Sequence, residues 1–191
     1  SFTGSNDVGC ALYEQASRRG IRVQCEMGGK NPLVVLSDAD LSLAVEGAIQ
    51  GGFGSTGQRC TAASRVIVEE SVAEKFTEMM LARMQTLRVG NGMDAQTDMG
   101  PSVDEGQMQT VLKYIEIGKS EGARLLKGGK RLMSGEFAKG FFVEPTLFDN
   151  VTMKMRIAQE EIFGPVISII RVKSFEEAIE TANNVKFGLS A

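Results

Sequence analysis

Histidine is absent from the 191 residues, and its absence excludes several kinds of catalytic site. Ser-His-Asp and Cys-His catalysis both use an imidazole as the general base, so neither can be built from this chain alone. A zinc site would have to rely on scattered cysteines and carboxylates, a poor match to the ligand sets that zinc prefers. Acid–base chemistry near neutral pH must therefore come from Glu, Asp, Lys or a Cys with a shifted pKa.

Cysteines, long apolar runs and excess positive charge are also scarce. The three cysteines are an odd number without the spacing of a disulfide framework, which favours reduced thiols. No apolar run approaches the roughly 20 residues that cross a bilayer, and the start of the chain does not resemble a signal peptide. The net charge of −3 lacks the basic footprint of a nucleic-acid-binding protein. We therefore predict a cytoplasmic protein with no nucleic-acid or membrane partner.

The hydrophobic pattern alternates between helical and extended segments, and the length suits one domain with a sizeable core. Helices are predicted at Asn6 to Arg19, after a capping box of Ser37 and Asp40, at Ser71 to Leu87, Asp104 to Glu121 and Ser174 to Asn183. Strands are predicted at Ile21 to Glu26, Pro32 to Leu36, Ser64 to Glu69, Arg124 to Lys127, Phe141 to Phe148 and Val166 to Val172. This alternation predicts an α/β fold, a three-layer sandwich with a mostly parallel sheet.

A glycine-rich bend precedes the third cysteine. Residues 51–57 contain the pattern G-x-G-x-x-G, but a dinucleotide-binding turn follows a strand and opens a helix, and here the order is reversed. Cys60 follows in the sequence GQRC, where backbone N–H groups and Arg59 could lower the pKa of its thiol and make it a nucleophile. A buried cysteine that packs as a small hydrophobic residue is the alternative. Cys10 and Cys25 are predicted to be packing residues.

Glu26 is a second candidate for chemistry, because it ends a predicted strand and two glycines, Gly28 and Gly29, follow it closely. Ligands of α/β sheets gather at the carboxyl ends of strands. A partly desolvated glutamate at such a place can have a raised pKa and act as a base. An ion pair of Glu26 with Lys30 or another cation is the alternative.

Two further motifs could contact a ligand. Residues 3–6, Thr-Gly-Ser-Asn, stand at the start of a predicted helix, where free N–H groups and a hydroxyl suit phosphate; ordinary N-capping is the alternative. Residues 160–165, Glu-Glu-Ile-Phe-Gly-Pro, could present Glu161 and the ring of Phe163 to a sugar and a base. The alternative there is an acidic surface turn with a core phenylalanine.

Together and in this order, the motifs resemble the landmarks of the aldehyde dehydrogenase superfamily, which are FTGS, EMGGKNP, GQRC, EPTLF and EEIFGPV as they stand in this chain. The resemblance runs from Phe2 to the last residues. It implies the catalytic-domain fold of the family for residues 1–191. It also implies that the dinucleotide-binding domain lies outside this fragment, so we expect the isolated chain to bind cofactor poorly and to catalyse little.

The resemblance implies a role for each matching residue. Cys60 matches the nucleophile and Glu26 the general base of NAD(P)-dependent aldehyde oxidation. The cofactor, NAD or NADP, is expected to contact Gly4 and Ser5 at its pyrophosphate, Met27 at its carboxamide, Glu161 at the nicotinamide ribose and Phe163 at the nicotinamide ring. Met27 departs from the leucine that the family more often has, a change that conserves volume.

The substrate is the least defined part of the resemblance. The segment STGQRCTAASRVIVEE is similar to the branch of the family that oxidises α-ketoglutaric semialdehyde. Succinate semialdehyde and other short aldehydes stay open, as do a variant that transfers the acyl group to coenzyme A and a non-catalytic structural relative. The parent enzyme is expected to be a homodimer or a homotetramer.

Overall fold

The computed structural model describes all residues, 1–191, and contains a five-stranded sheet and a separate two-stranded sheet. The strands are β1 Phe2–Thr3, β2 Cys25–Glu26, β3 Asn31–Val35, β4 Ala63–Glu69, β5 Arg124–Lys127, β6 Thr146–Asp149 and β7 Val166–Val172. The helices are α1 Asn6–Arg18, α2 Leu41–Phe53, α3 Glu70–Gln85, α4 Glu105–Ser120, α5 Arg156–Gln159 and α6 Phe175–Asn183.

The five-stranded sheet has the order β3-β4-β7-β6-β5, and all pairs are parallel except β5 with β6. Its central strands β4 and β7 are rich in valine and isoleucine and almost wholly buried. Such continuous apolar strands are typical of parallel sheets that are covered on both faces. The predicted mostly parallel sheet is therefore confirmed.

Two hydrophobic clusters, one on each face of this sheet, form the core. Val66 and Val68 of β4 pack with α2 and α3 on one face. Ile67, which points the opposite way, packs with α4, α5 and α6 on the other face. Successive residues of a strand face opposite sides of a sheet, so one strand serves both clusters. The result is three layers, as predicted.

The helix α2 begins later than the sequence predicts. Its N-cap is Asp40, whose Oδ1 accepts hydrogen bonds from the N–H groups of Ser42 at 2.9 Å and Leu43 at 3.1 Å. Ser37, the predicted cap, instead donates its N–H to the Glu69 carboxylate at 2.9 Å. The capping box at Ser37 is therefore wrong, because Ser37 is bound to the end of β4 and leaves the cap to Asp40.

The predicted strand from residue 21 to residue 26 is also shorter, since only Cys25–Glu26 pairs, with the two residues of β1. Most of α1, which connects these two strands, is exposed. None of the helices is both long enough and apolar enough to cross a membrane.

Candidate active site

A cleft of about 720 Å³ lies beside the ends of four strands and is called the central cleft below. Its walls are formed by residues 3–5, 26–28, 58–61, 107, 110 and 161–163. The first two segments lie at the carboxyl ends of β1 and β2, whereas the segments with Cys60 and Glu161 precede β4 and β7. The cleft therefore collects every residue for which the sequence predicts a catalytic or cofactor-binding role.

Glu26 lies at the carboxyl end of a strand, as predicted, since it is the last residue of β2. Cys60 and Glu161 lie at the amino ends of strands in the five-stranded sheet. The usual ligand site of an α/β protein lies outside the carboxyl ends of one sheet. Here two sheets contribute opposite ends to the same cleft.

Cys60 follows an irregular turn, Gly54–Gly57, and is exposed in the central cleft. Within the turn, Ser55 and Thr56 have positive φ angles of 53° and 61°, which is uncommon for a residue with a Cβ and rarer still for a β-branched one. The Cys60 carbonyl accepts a hydrogen bond from Asn31 Nδ2 at 2.7 Å. The alternative of a buried packing cysteine is therefore wrong for Cys60.

Glu26 also lines the cleft and is exposed. Its Oε1 accepts a hydrogen bond from Gln24 Nε2 at 3.0 Å. Lys30, the suggested ion-pair partner, is buried, and its Nζ has no hydrogen-bond partner. The pairing of Glu26 with Lys30 is therefore wrong, and the glutamate is accessible to a molecule in the cleft.

Gly28 and Gly29 allow the segment after Glu26 to approach two other loops. A Cβ at Gly28 would overlap the Glu161 carboxylate, and one at Gly29 would lie 2.6 Å from the carbonyl oxygen of Cys60. The N–H of Gly29 donates to Glu161 Oε1 at 3.0 Å. Residues with side chains would hold the three loops apart at these two positions.

The adjacent carboxylates of Glu160 and Glu161 have different surroundings. Glu160 accepts hydrogen bonds from Arg156 at 2.9 Å and from the Tyr114 hydroxyl at 2.7 Å, and the arginine contributes most to lowering its pKa to about 2. Glu161 is half-buried in the cleft, and burial raises its pKa despite the opposing effects of its backbone hydrogen bond and of Lys30. Only Glu161 lines the central cleft.

Phe163 contributes an aromatic ring to the cleft. It is 37% exposed, so the alternative of a core phenylalanine is wrong. Its φ of 56° is unusual for a bulky residue. Met27 lines the same cleft, and its side chain packs against Gly9 of α1, where a Cβ would overlap the methionine sulfur.

Gly4 and Ser5 form the wall of the cleft at the start of α1. The Ser5 hydroxyl accepts a hydrogen bond from the N–H of Val8 at 3.4 Å, so Ser5 caps the helix. The N–H of Gly4 donates to the Glu26 carbonyl at 3.0 Å and is not free for a phosphate. A phosphate could still meet the Ser5 hydroxyl proton and the N–H groups of the first helical turn.

Three side-chain amides that the sequence did not single out hold the loops of the cleft. Asn31 donates to the Cys60 carbonyl, Gln58 bonds to the loop before α4, and Gln107 donates to the Phe163 carbonyl at 2.9 Å. All three bond to backbone groups far away along the chain. Asn31 and Gln58 belong to the motifs EMGGKNP and GQRC, which is the only signal for them in the sequence, and no local pattern marks Gln107.

The other two cysteines differ from each other. Cys25 is half-buried and its thiol lies 3.6 Å from the Gly9 carbonyl oxygen, in agreement with a packing role. Cys10 is exposed on α1, so its predicted packing role is wrong in this chain. The regular spacing of α1 predicted a buried face, but in this chain few residues cover it.

The fold and the cleft together define a class, a three-layer α/β domain with a cysteine, two glutamates and an aromatic ring around one opening. The model of the aldehyde dehydrogenase family matches residues 1–191, which is the whole chain. The chain therefore belongs to the aldehyde dehydrogenase family, as its motifs indicated.

Curated relatives match the whole chain at about 50% sequence identity. The α-ketoglutaric semialdehyde dehydrogenase of Bacillus subtilis is 52% identical over 191 residues, and the 2,5-dioxopentanoate dehydrogenase of Saccharolobus solfataricus is 48% identical. Retinal dehydrogenase 2 of the mouse is 50% identical. The chain spans 39% of the length of the first two proteins and 36% of the third.

Solved structures have the same fold. A crystal structure of betaine aldehyde dehydrogenase from Staphylococcus aureus, determined in complex with NAD+, superimposes with a TM-score of 0.95 at 38% identity. The match covers 98% of this chain and 37% of that one. The predicted catalytic-domain fold is therefore confirmed.

Proposed function

We propose that this chain carries the catalytic residues of an NAD(P)-dependent aldehyde dehydrogenase, with Cys60 as the nucleophile and Glu26 as the general base. One observation carries the proposal: Cys60 and Glu26 lie 34 positions apart in the sequence, yet both are exposed in the same cleft. Glu161 and Phe163 line that cleft as well. A reaction centre and a cofactor-binding surface are thereby adjacent.

The first half of the proposed reaction takes place on sulfur. The Cys60 thiolate attacks the carbonyl carbon of the aldehyde and forms a thiohemiacetal. The backbone N–H of Cys60 donates a hydrogen bond to the resulting oxyanion. The former carbonyl carbon then gives up a hydride, for which a nicotinamide dinucleotide held in the cleft would be the acceptor, and a thioester remains on Cys60.

The second half of the reaction releases the product. Glu26 takes a proton from a water molecule, which attacks the thioester carbonyl. The carbon–sulfur bond breaks, and the carboxylic acid and the Cys60 thiol are released. The exposed position of Glu26 in the cleft favours this hydrolysis over transfer of the acyl group to coenzyme A.

The residues of the cleft fit a nicotinamide dinucleotide. Such a cofactor, when bound, supplies the hydride acceptor, and the Staphylococcus aureus relative has been solved with NAD+. Glu161 Oε1 is occupied by the Gly29 N–H, which leaves Oε2 to accept hydrogen bonds from ribose hydroxyls. The half-exposed ring of Phe163 can pack against a planar ring. Ser5 and the start of α1 suit the pyrophosphate, and Met27 the carboxamide.

Substitution of Glu26 by Gln tests the assignment of the two roles. Glu26→Gln should lower steady-state turnover by about 10²- to 10⁴-fold, because the thioester forms but is not hydrolysed. Stopped-flow measurement of the full-length enzyme should show a burst of about one NADH per active site, followed by a slow phase. Cys60→Ser should give no burst. A Glu26→Gln enzyme with normal turnover, or a burst in Cys60→Ser, would contradict the proposal.

We further propose that the substrate is an aldehyde with a carboxylate, such as α-ketoglutaric semialdehyde. Arg59 lies next to the nucleophile, is exposed, and forms no ion pair within the chain. It is the only cationic residue that lines the central cleft, so it can attract a carboxylate there. The names of the Bacillus and Saccharolobus relatives support this substrate class, whereas the similarity to retinal dehydrogenase 2 leaves an apolar aldehyde as the competitor.

The role of Arg59 can be measured with a set of aldehydes. Arg59→Met should raise the KM of α-ketoglutaric and succinate semialdehydes about fivefold, which corresponds to about 1 kcal/mol. The KM of an uncharged short aldehyde and that of retinal should stay unchanged. Arg59→Lys keeps the charge and should retain most of the affinity. An equal effect on charged and uncharged aldehydes would show that Arg59 does not recognise the carboxylate.

The remaining expectations from the sequence also stay proposals. We propose that residues 1–191 act as one catalytic domain, since both hydrophobic clusters share one sheet. We propose that the enzyme works in a reducing compartment such as the cytoplasm, which the three free thiols support. Assembly as a homodimer or homotetramer is proposed from the family resemblance, and analytical ultracentrifugation of the enzyme tests it.

A further inference from the structure

Residues 100–107 connect two walls of the central cleft, and this segment is called the brace below. It comprises the end of the loop between α3 and α4 and the first turn of α4. Asp104 caps that helix, with its Oδ1 accepting the Gln107 N–H at 2.7 Å. The N–H of Ser102 donates to the Phe141 carbonyl at 2.9 Å. The brace is thus a fixed element rather than a free loop.

The first wall that the brace holds is the loop of the nucleophile. Gln58, two residues before Cys60, uses both ends of its amide: Nε2 donates to the Pro101 carbonyl at 3.3 Å, and Oε1 accepts the Val103 N–H at 2.9 Å. The Thr56 hydroxyl adds a third bond, to the Gly100 carbonyl at 3.1 Å. The Cys60 loop is therefore bound to the brace through the side chains of Thr56 and Gln58.

The second wall is the loop of Phe163. Gln107 Nε2 donates to the carbonyls of Ile162 and Phe163, each at 2.9 Å. Gln107 belongs to the brace, and Gln58 bonds to two residues of the brace. Both side chains also line the central cleft. One short segment therefore contacts two loops that lie about a hundred residues apart in the sequence.

Both loops contain backbone conformations that need such support. Ser55, Thr56 and Gly57 have φ angles of 53°, 61° and 65°, and Phe163 has a φ of 56°. For residues with a Cβ, these conformations are energetically unfavourable and persist where surrounding contacts over-determine them. The hydroxyl of Thr56 and the carbonyl of Phe163 both bond to the brace.

We propose that the brace sets the spacing between the Cys60 sulfur and the ring of Phe163, with Gln58 and Gln107 as positioning residues. The inference rests on the proposed function, in which an aldehyde on Cys60 must meet a nicotinamide beside Phe163. Hydride transfer depends on such alignment, and a misplacement of about 1 Å can cost about 10²-fold in rate. Gln58 and Gln107 are otherwise half-buried amides without a part in the reaction.

The test uses Gln58→Met, Gln107→Met and the double variant in the full-length holoenzyme. Methionine keeps the length of the side chain and removes its hydrogen bonds. Gln109→Met is the matched control, because Gln109 lies on the same helix, is exposed and makes no hydrogen bond through its side chain. Gln58→Glu keeps the acceptor for Val103 and loses the donor to Pro101, and Gln107→Met alone tests the brace if Gln58→Met does not fold. All assays are made well below the Tm of each variant.

Each single variant should lower kcat by at least about tenfold. The fold-loss in kcat of the double variant should be smaller than the product of the two single fold-losses, because both substitutions remove hydrogen bonds to the same segment, the brace. In Gln58→Met, the ratio of the alkylation rate of Cys60 by iodoacetamide to that of the exposed Cys10 should fall at least threefold. Gln58→Glu should fall between wild type and Gln58→Met. Multiplicative losses, or rates equal to those of Gln109→Met, would overturn the brace. If wild type lacks aldehyde oxidation, the proposed function fails, while the alkylation ratio still tests the brace.

Discussion

At the scale of single residues, the least expected feature is the burial of Lys30. Its ammonium group lacks a hydrogen-bond partner. Burial, with the nearby charge of Arg65, lowers its pKa to about 7, although Glu161 and Glu160 act in the opposite direction. In the sequence, Lys30 is notable only as a possible ion-pair partner of Glu26. Its burial follows from the packing of residues that are far away in the sequence, such as Arg65, which donates two bonds to the Lys30 carbonyl at 2.7 and 2.9 Å.

The lowered pKa of Lys30 predicts a pH dependence of stability. Between about pH 7 and the unfolded-state pKa of about 10.4, the unfolded chain holds one proton more at this position than the folded chain. The free energy of unfolding should therefore rise with pH in that window, by about 1.4 kcal/mol per pH unit at most, relative to Lys30→Met. Below pH 7 the full cost of burying the charge remains, and Lys30→Met should be the more stable protein.

Urea unfolding of wild type and Lys30→Met at several values between pH 6 and pH 10 measures this difference. Lys75→Met is the control, since Lys75 is exposed on α3 and should show no change of the difference with pH. If the free energies of unfolding of wild type and Lys30→Met changed equally with pH, the lowered pKa of Lys30 would be contradicted.

At the residue scale, the sequence also predicted residue types that meet in one cleft. Cys60, Glu26, Glu161 and Phe163 are the residue types that a nucleophile, a base and a cofactor surface require, and all four line the central cleft. Their neighbours were less predictable. Asn31 holds the Cys60 carbonyl through a contact 29 positions along the chain, and a contact of that kind leaves no periodic signal.

At the scale of elements, the boundaries of helices follow from their caps. The helices α4 and α6 begin one residue after their predicted starts, Asp104 and Ser174, because each of these two residues is the N-cap and accepts an N–H three residues later. The helix α2 is the exception, since its N-cap is Asp40, which the predicted capping box places three residues after the cap Ser37. A choice between adjacent caps depends on what else each residue bonds to.

Removal of each candidate cap measures that choice. Asp40→Ala should lower the free energy of unfolding by about 1 kcal/mol, because two N–H groups of α2 lose their acceptor. Ser37→Ala should cost less than half as much, since the Ser37 N–H keeps its bond to Glu69. Chemical denaturation at pH 7 compares the two. If Ser37→Ala lowered the free energy of unfolding more than Asp40→Ala, the predicted capping box at Ser37 would be supported after all.

The turn before Cys60 shows where local preference is overruled. Ser and Thr do not favour positive φ, so residues 54–57 read as a flexible glycine-rich bend. In the structure Gly57 packs so closely against the Gly164 backbone that a Cβ would overlap it. The conformation of this turn is therefore a product of the contact with the loop before β7.

At the scale of the whole molecule, the layers were predictable and the location of the site was not. Strands of valine and isoleucine that alternate with amphipathic helices have few ways to bury both faces of a sheet. The central cleft, by contrast, combines the carboxyl ends of β1 and β2 with the amino ends of β4 and β7. A rule based on one sheet does not predict a site between two.

The sequence by itself determined the layered fold, the approximate positions of the helices, and the residue types of the proposed reaction, because periodicity and side-chain chemistry are local properties. Only the tertiary structure decided that Glu26 is unpaired while Lys30 is buried, that α2 begins at Asp40, and that one segment before α4 holds two loops of the cleft. These features depend on contacts between residues tens of positions apart, and such contacts leave no periodic pattern in the local sequence.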